Sequence, residues 1–91
     1  MKYQFKVAIS FWEQFNALPA PQQSSARAKL RIFKDDSLDP RLRTHKINSL
    51  SASFKTTVFA VVIEGDLRAA FYLKGNIVFT FAIGTHAIYK R

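Results

Sequence analysis

Residues 2–9 alternate without a break: Tyr3, Phe5, Val7 and Ile9 fall on one side, Lys2, Gln4, Lys6 and Ala8 on the other. A period of two marks a strand with one buried face. The period then changes. Phe11, Phe15 and Leu18 recur at i, i+4 and i+7, one apolar stripe of a short helix. Ser10 and Glu13 have the spacing of a capping box, in which Ser10 caps that helix and Glu13 reaches back to it. Pro19 ends the helix, and Pro21 suits the first turn of another. In the second helix Ala26, Leu30 and Phe33 form the apolar stripe, and Arg27, Arg31 and Lys34 form a separate basic one. Asp35, Asp36 and Pro40 break it.

Residues 41–46, Arg-Leu-Arg-Thr-His-Lys, are a basic segment leading into Ile47, and Ser49, Ser51 and Ser53 mark a turn-rich connection. The period of two then returns three times. Residues 54–63 place Phe59, Val61 and Ile63 on one face; residues 67–73 place Leu67, Ala69, Phe71 and Leu73 there and Arg68, Ala70 and Tyr72 opposite; residues 77–83 place Ile77, Phe79, Phe81 and Ile83 inward. Glu64-Gly65-Asp66 and Lys74-Gly75-Asn76 are tight turns between them. Short turns make these strands an antiparallel meander. The order β-α-α-β-β-β predicts an α+β fold, an antiparallel sheet with two N-terminal helices packed on one face and the other face partly open. That open face would carry Arg68 and Tyr72 on one strand, and Thr80, Ala82, Gly84 and His86 on its neighbour, around a shallow concavity.

Composition narrows the class. Ninety-one residues suit one domain, 1–91, and the 48% apolar content with nine Phe supplies a core. The chain has no Cys, which excludes a disulfide scaffold and a thiolate metal site. No run approaches the ~18 apolar residues of a membrane span, and the N-terminus lacks the apolar core of a signal peptide. The reading is a soluble cytoplasmic protein with no membrane association. Fourteen Lys and Arg against six Asp and Glu give a net charge of +8, which points to a polyanion or an acidic protein as partner.

The chain's close concentrates the candidate chemistry: a strand runs into Gly84, and Thr85, His86, Tyr89, Lys90 and Arg91 follow. An imidazole transfers protons near neutrality, and Lys90 and Arg91 could hold an anion. Arg68 could grip a phosphate in a bidentate fork, and Tyr72 or Tyr89 could stack a base. Such a set supports RNA strand scission, in which a ribose 2′-OH attacks its own phosphodiester while a base takes its proton and an acid protonates the leaving 5′-oxygen. No metal or cofactor is called for, since the two His and six acids show no ligand spacing. Each residue also has a structural alternative. His86 can hydrogen-bond at a strand end, Arg68 can pair with Glu64 or Asp66, Tyr72 can pack, and His45 can be an ordinary loop residue.

Length, element order, charge and three local segments together resemble the RelE/ParE superfamily of bacterial type II toxins, in particular its YafQ-like mRNA interferases. The segments are Thr44-His45-Lys46-Ile47-Asn48, Glu64-Gly65-Asp66-Leu67-Arg68 with Phe71-Tyr72, and Gly84-Thr85-His86-Ala87. The resemblance implies a toxin that enters the ribosomal A site and cuts translated mRNA, held in a hetero-oligomer by an antitoxin with an acidic toxin-binding segment. It implies roles as well. His86 would be the general acid or base, Arg68 the phosphate anchor, Asp66 and His45 aids to proton transfer, and Tyr89 the residue that positions the nucleotide. Arg27, Arg31, Lys34, Arg41, Arg43 and Lys46, with Tyr72, Lys90 and Arg91, would bind mRNA and ribosomal RNA. One departure stands out: residues 57–63 are wholly neutral where these toxins often carry Lys, His or Asp. That strand keeps two alternatives open, a ParE-type inhibitor of DNA gyrase without nuclease chemistry and a degenerate homologue that only binds an antitoxin.

Overall fold

The computed structural model describes residues 3–36, 39–48, 51–52, 55–85 and 88. Among them run β1 (Gln4–Val7), α1 (Ile9–Asn16), α2 (Ala20–Asp35), a 3-10 turn (Pro40–Leu42), β2 (His45–Lys46), β3 (Val58–Glu64), β4 (Leu67–Lys74) and β5 (Ile77–Gly84). The five strands form one sheet in the order β1-β5-β4-β3-β2. β3, β4 and β5 are the expected antiparallel meander. β1 joins β5 in parallel and β2 joins β3 antiparallel, so the sheet is mixed.

The helical stripes do what their spacing predicts. Phe11, Phe15, Ala26 and Phe33 are buried against Val61, Ile63, Leu67, Ala69 and Phe71 of the sheet, with Leu18 and Leu30 partly buried beside them. Phe33 meets the edges of both Phe5 and Phe71, at ring separations of 5.4 and 4.8 Å. Gln23 ties the helical hairpin together: its Nε2 donates to the carbonyls of Phe15 at 3.2 Å and Leu18 at 3.0 Å, where α1 has run out of partners.

Expectations are corrected at three places. Ser10 does not cap α1. The N-cap residue is Ala8, with no side-chain cap, and Ser10 Oγ donates instead to the Phe81 carbonyl at 3.0 Å. The cause lies in the length of β1, which pairs with β5 only as far as Thr80. Beyond that point β5 has no strand neighbour on this side among the described residues. Ser10 and Gln14 take over, and the Ile83 N–H donates to Gln14 Oε1 at 2.9 Å. Ile9, expected on the buried side of β1, opens α1 and is 78% exposed.

The second correction is in β5. Ala70 pairs with Ala82 but Phe71 pairs with Thr80, so Phe81 is an extra residue, a β-bulge. Below the bulge the facing is the reverse of the expected one. Val78 and Thr80 are buried, while Phe79 and Phe81 lie against Tyr72. Above it Ile83 points inward as expected. The third correction concerns the face away from the helices, which is less open than predicted. Ala60, Ala70 and Ala82 leave a shallow trough, and Ile47 and Ile88 fill it to form a second buried cluster with Val58. Gly84 makes room for that layer: a Cβ there would stand 2.7 Å from Ile88 Cγ2.

Candidate functional site

Residues directly opposed in antiparallel strands project to the same side, so the register maps the face turned from the helices row by row. Val58, Tyr72 and Phe79 form one row, His45, Ala60, Ala70 and Ala82 the next, and Val62, Arg68 and Gly84 the third. His45, Arg68 and Tyr72 therefore share a face, as parity predicted for the latter two. They are not in contact. From strand spacing, His45 and Arg68 stand roughly 12 Å apart at the backbone, and Arg68 and Tyr72 roughly 13 Å.

The groups gather at one end of the sheet, where the β3–β4 turn, the approach to β2 and the close of β5 meet. Arg68 is half-buried there. Its Nη1 donates to the Gly65 carbonyl at 2.7 Å and more weakly to its neighbour Leu67 at 3.4 Å. Its Nε is the one buried side-chain nitrogen or oxygen without a partner among the described residues. An unmet donor on a cation is costly to bury, and a site prepared for an anion carries such donors. Asp66, two residues before it, is exposed in the turn that Gly65 makes at φ +48°. β5 ends at Gly84, directly across from Arg68.

His45 reaches this end through a left-handed residue. Arg43 adopts φ 48° between the 3-10 turn and β2, and His45 Nδ1 lies 2.9 Å from its carbonyl. A carbonyl only accepts, so Nδ1 is the donor in this contact and Nε2 is the nitrogen left for another partner.

Beside these groups lies an open cleft of about 610 Å³, lined among others by Lys29, Arg41, Arg43, Val62, Glu64 and Gly65. Arg41 is committed to structure. Its Nε and Nη2 grip both carboxylate oxygens of Asp39 at 3.0 and 2.9 Å, and its own N–H adds a third bond. Those hydrogen bonds hold the Asp39 carboxyl down to about 2 and push the Arg41 guanidinium up. The pair is neutral, so the net positive character of the cleft comes from Lys29 and Arg43, set against Glu64.

The remaining predicted residues divide. Arg27, Arg31 and Lys34 are exposed on α2, with Arg27 over the Phe15 ring of α1 at 5.1 Å and Lys34 at the side of α2 that faces β1 and α1. They do not share a surface with His45 and Arg68. Lys46 is exposed but pairs with Phe59, on the helix-side parity. Tyr72 stacks on Phe79 at 5.2 Å and tilts against Phe81 at 5.8 Å, so packing already occupies much of its ring. His86, Tyr89, Lys90 and Arg91 lie outside the described residues, as do Lys2, Ser49 and Ser53. Sequence reasoning missed Lys29, which sits off the basic stripe of α2 and enters the cleft only because the 3-10 turn folds under that helix. It also missed why β3 is neutral: Val58, Ala60, Val61 and Ile63 are all buried, on both faces of the sheet.

No family model matches this sequence, and no curated protein matches it by sequence. Solved structures do match its fold. The Escherichia coli DinJ–YafQ toxin–antitoxin complex contains a chain that superposes with a TM-score of 0.75 over 100% of both chains at 13% identity. YafQ of Escherichia coli gives 0.75 over 99% of this chain and 100% of its own, at 11% identity. The archaeal RelE–RelB complex from Pyrococcus horikoshii gives 0.68 over 93% and 96%, at 11% identity. The chain has the RelE/YafQ-like fold.

Proposed function

We propose that this protein is the toxin of a type II toxin–antitoxin system and a metal-independent endoribonuclease that cuts mRNA on the ribosome. The observation that supports this most is the placement, on one face of a RelE/YafQ-like sheet, of Arg68 with an unmet donor, of His45 roughly 12 Å from it, and of the end of β5 at Gly84 across from Arg68. In the reaction the 2′-oxygen bonds to phosphorus and the P–O5′ bond breaks. His86, two residues past Gly84, is the general acid or base. His45 Nε2 or Asp66 exchanges the second proton, and Arg68 stabilises the phosphorane once it releases the Gly65 carbonyl. Tyr89 positions the nucleotide. Lys29 and Arg43 hold backbone phosphates in the cleft beside them, and Lys90 and Arg91 add charge. The antitoxin holds the toxin in a hetero-oligomer.

The test is expression of the wild type and His86→Ala in bacteria, with mapping of cleavage on translating ribosomes. The wild type is expected to cut mRNA in the A site, and the variant to cut about 10²–10⁴-fold more slowly. No cleavage by the wild type overturns the nuclease. Inhibition of gyrase supercoiling with mRNA intact would put a binding-only toxin in its place.

A further inference from the structure

β3 outruns the strand beside it. The Ile47 N–H donates to the Val58 carbonyl at 2.8 Å, and His45 pairs with Ala60. By alternation Val62 turns its N–H and C=O to the same side. β2 has ended by then. The position that would face Val62 falls to Arg43, which leaves the strand path at φ 48°. Among the described residues no backbone group pairs with that side of Val62. The cleft of about 610 Å³ opens at this gap, and its charged side chains are Lys29, Arg41, Arg43 and Glu64. Arg41 is held by Asp39, and Lys29 and Arg43 suit phosphates. Glu64 fits neither role. It is exposed and makes no ion pair or hydrogen bond among the described residues. A carboxylate also repels the phosphates that its neighbours attract. Beside it, half-buried Val62 and exposed Pro40 supply apolar surface.

We propose that this cleft reads a base of the bound RNA, and that the base is guanine. Glu64 is the specificity-determining residue. Its two carboxylate oxygens accept from the guanine N1–H and N2 amino group, and the outward Val62 N–H donates to O6. Guanine alone among the four bases sets two donors side by side on its Watson–Crick edge. Adenine and cytosine place an unprotonated ring nitrogen next to the amino group, and uracil flanks its N–H with two carbonyls. Each of these turns a lone pair on Glu64. The base rests against Val62 and Pro40, while Lys29 and Arg43 keep the flanking phosphates. A basic protein segment, the other natural partner of a carboxylate, would meet Lys29 and Arg43 as well. Val62 stands directly opposite Arg68. The base is therefore read one strand, roughly 5 Å, from the residue that anchors the scissile phosphate. The proposal rests on the endoribonuclease reading for the source of the base.

The test separates binding from cleavage. Guanosine 3′-monophosphate is titrated into the full, nitrogen-labelled chain and followed by NMR at the amides of Val62, Glu64 and Gly65. Adenosine 3′-monophosphate, N1-methylguanosine 3′-monophosphate and inorganic phosphate are titrated beside it. Guanosine monophosphate is expected to bind roughly tenfold to a hundredfold more tightly than the other two nucleotides. Glu64→Ala is expected to erase that difference. It should bind inorganic phosphate at least as tightly as the wild type, because a negative charge has gone from beside Lys29 and Arg43. Glu64→Gln keeps one acceptor and is expected to lose most of the preference. Equal affinity for guanosine and adenosine, undiminished binding of the N1-methylated base, or a preference that survives Glu64→Ala overturns the proposal. On translating ribosomes the cuts of the wild type and Glu64→Ala are mapped, and the ratio of cuts beside guanine to cuts elsewhere is expected to fall at least tenfold in the variant. Guanine-selective binding without any cleavage supports the pocket and ends the nuclease reading. Cleavage with no guanine preference in either assay ends the pocket and leaves the nuclease.

Discussion

Arg41 shows how far a single residue's role can shift between sequence and structure. Its place in a basic run predicted a grip on RNA, but its guanidinium is committed to Asp39 two residues away. The consequence is measurable. In Arg41→Ala the Asp39 carboxyl loses its guanidinium hydrogen bonds but keeps the one from the backbone N–H of residue 41, so it is expected to titrate above about 2, part of the way towards its ordinary 3.8, as carbon-detected NMR can follow. The sign follows from the depressed folded value. The stabilisation this contact lends to the 3-10 turn is complete above pH 3.8 and disappears as pH falls from there towards 2. An unchanged Asp39 titration in the variant would mean that Arg41 is free for another anion. Arg68 and Tyr72 were legible on one face because parity is reliable inside an unbroken strand. His45 was not, because its placement follows from the positive φ of Arg43, which the sequence of a non-glycine residue does not announce. The preference of Gly84 for hydrogen over methyl is a matter of Ile88 approaching it, a contact that no local pattern encodes.

At the scale of elements, α1 serves two neighbours at once. Its apolar stripe packs the core, and two of its polar side chains substitute for the strand that β5 lacks above Thr80. Gln14→Ala leaves the Ile83 N–H without its acceptor in a part-buried position, and a loss of about 1–3 kcal/mol is expected in urea unfolding. Gln14→Glu, which keeps an acceptor, should recover most of it. Helices read well from this sequence because a stripe at i, i+4, i+7 needs only the helix itself to be regular. β5 read badly because period-two reasoning assumes that no residue is inserted. One bulge at Phe81 was enough to exchange the faces of Phe79 and Val78. Ser10 misled in a related way. Its spacing to Glu13 fits a capping box, but a backbone carbonyl distant in sequence competed for the hydroxyl and won.

Across the whole molecule, aromatic contacts bind the layers. Phe33 joins β1 to β4 by touching Phe5 and Phe71, and Phe71 stacks on Phe59 of β3 at 5.4 Å. Phe33→Ala removes the shared member and is expected to cost about 3–5 kcal/mol, a large part of the 5–15 kcal/mol typical of such chains. A midpoint in urea close to that of the wild type would show that the core collapses around the gap. The fold class was legible because every apolar stripe agreed with one arrangement of layers. The strand order was not, since nothing in a β-hairpin pattern says where the first strand returns. That order carries a consequence in time. Gln4 pairs with Ile77, so the first strand finds its neighbour only when the last one exists. Contacts of such separation close late. During synthesis the helices and β3–β4 can assemble early, but the sheet stays one strand short, with β1 unplaced, until translation has passed β5.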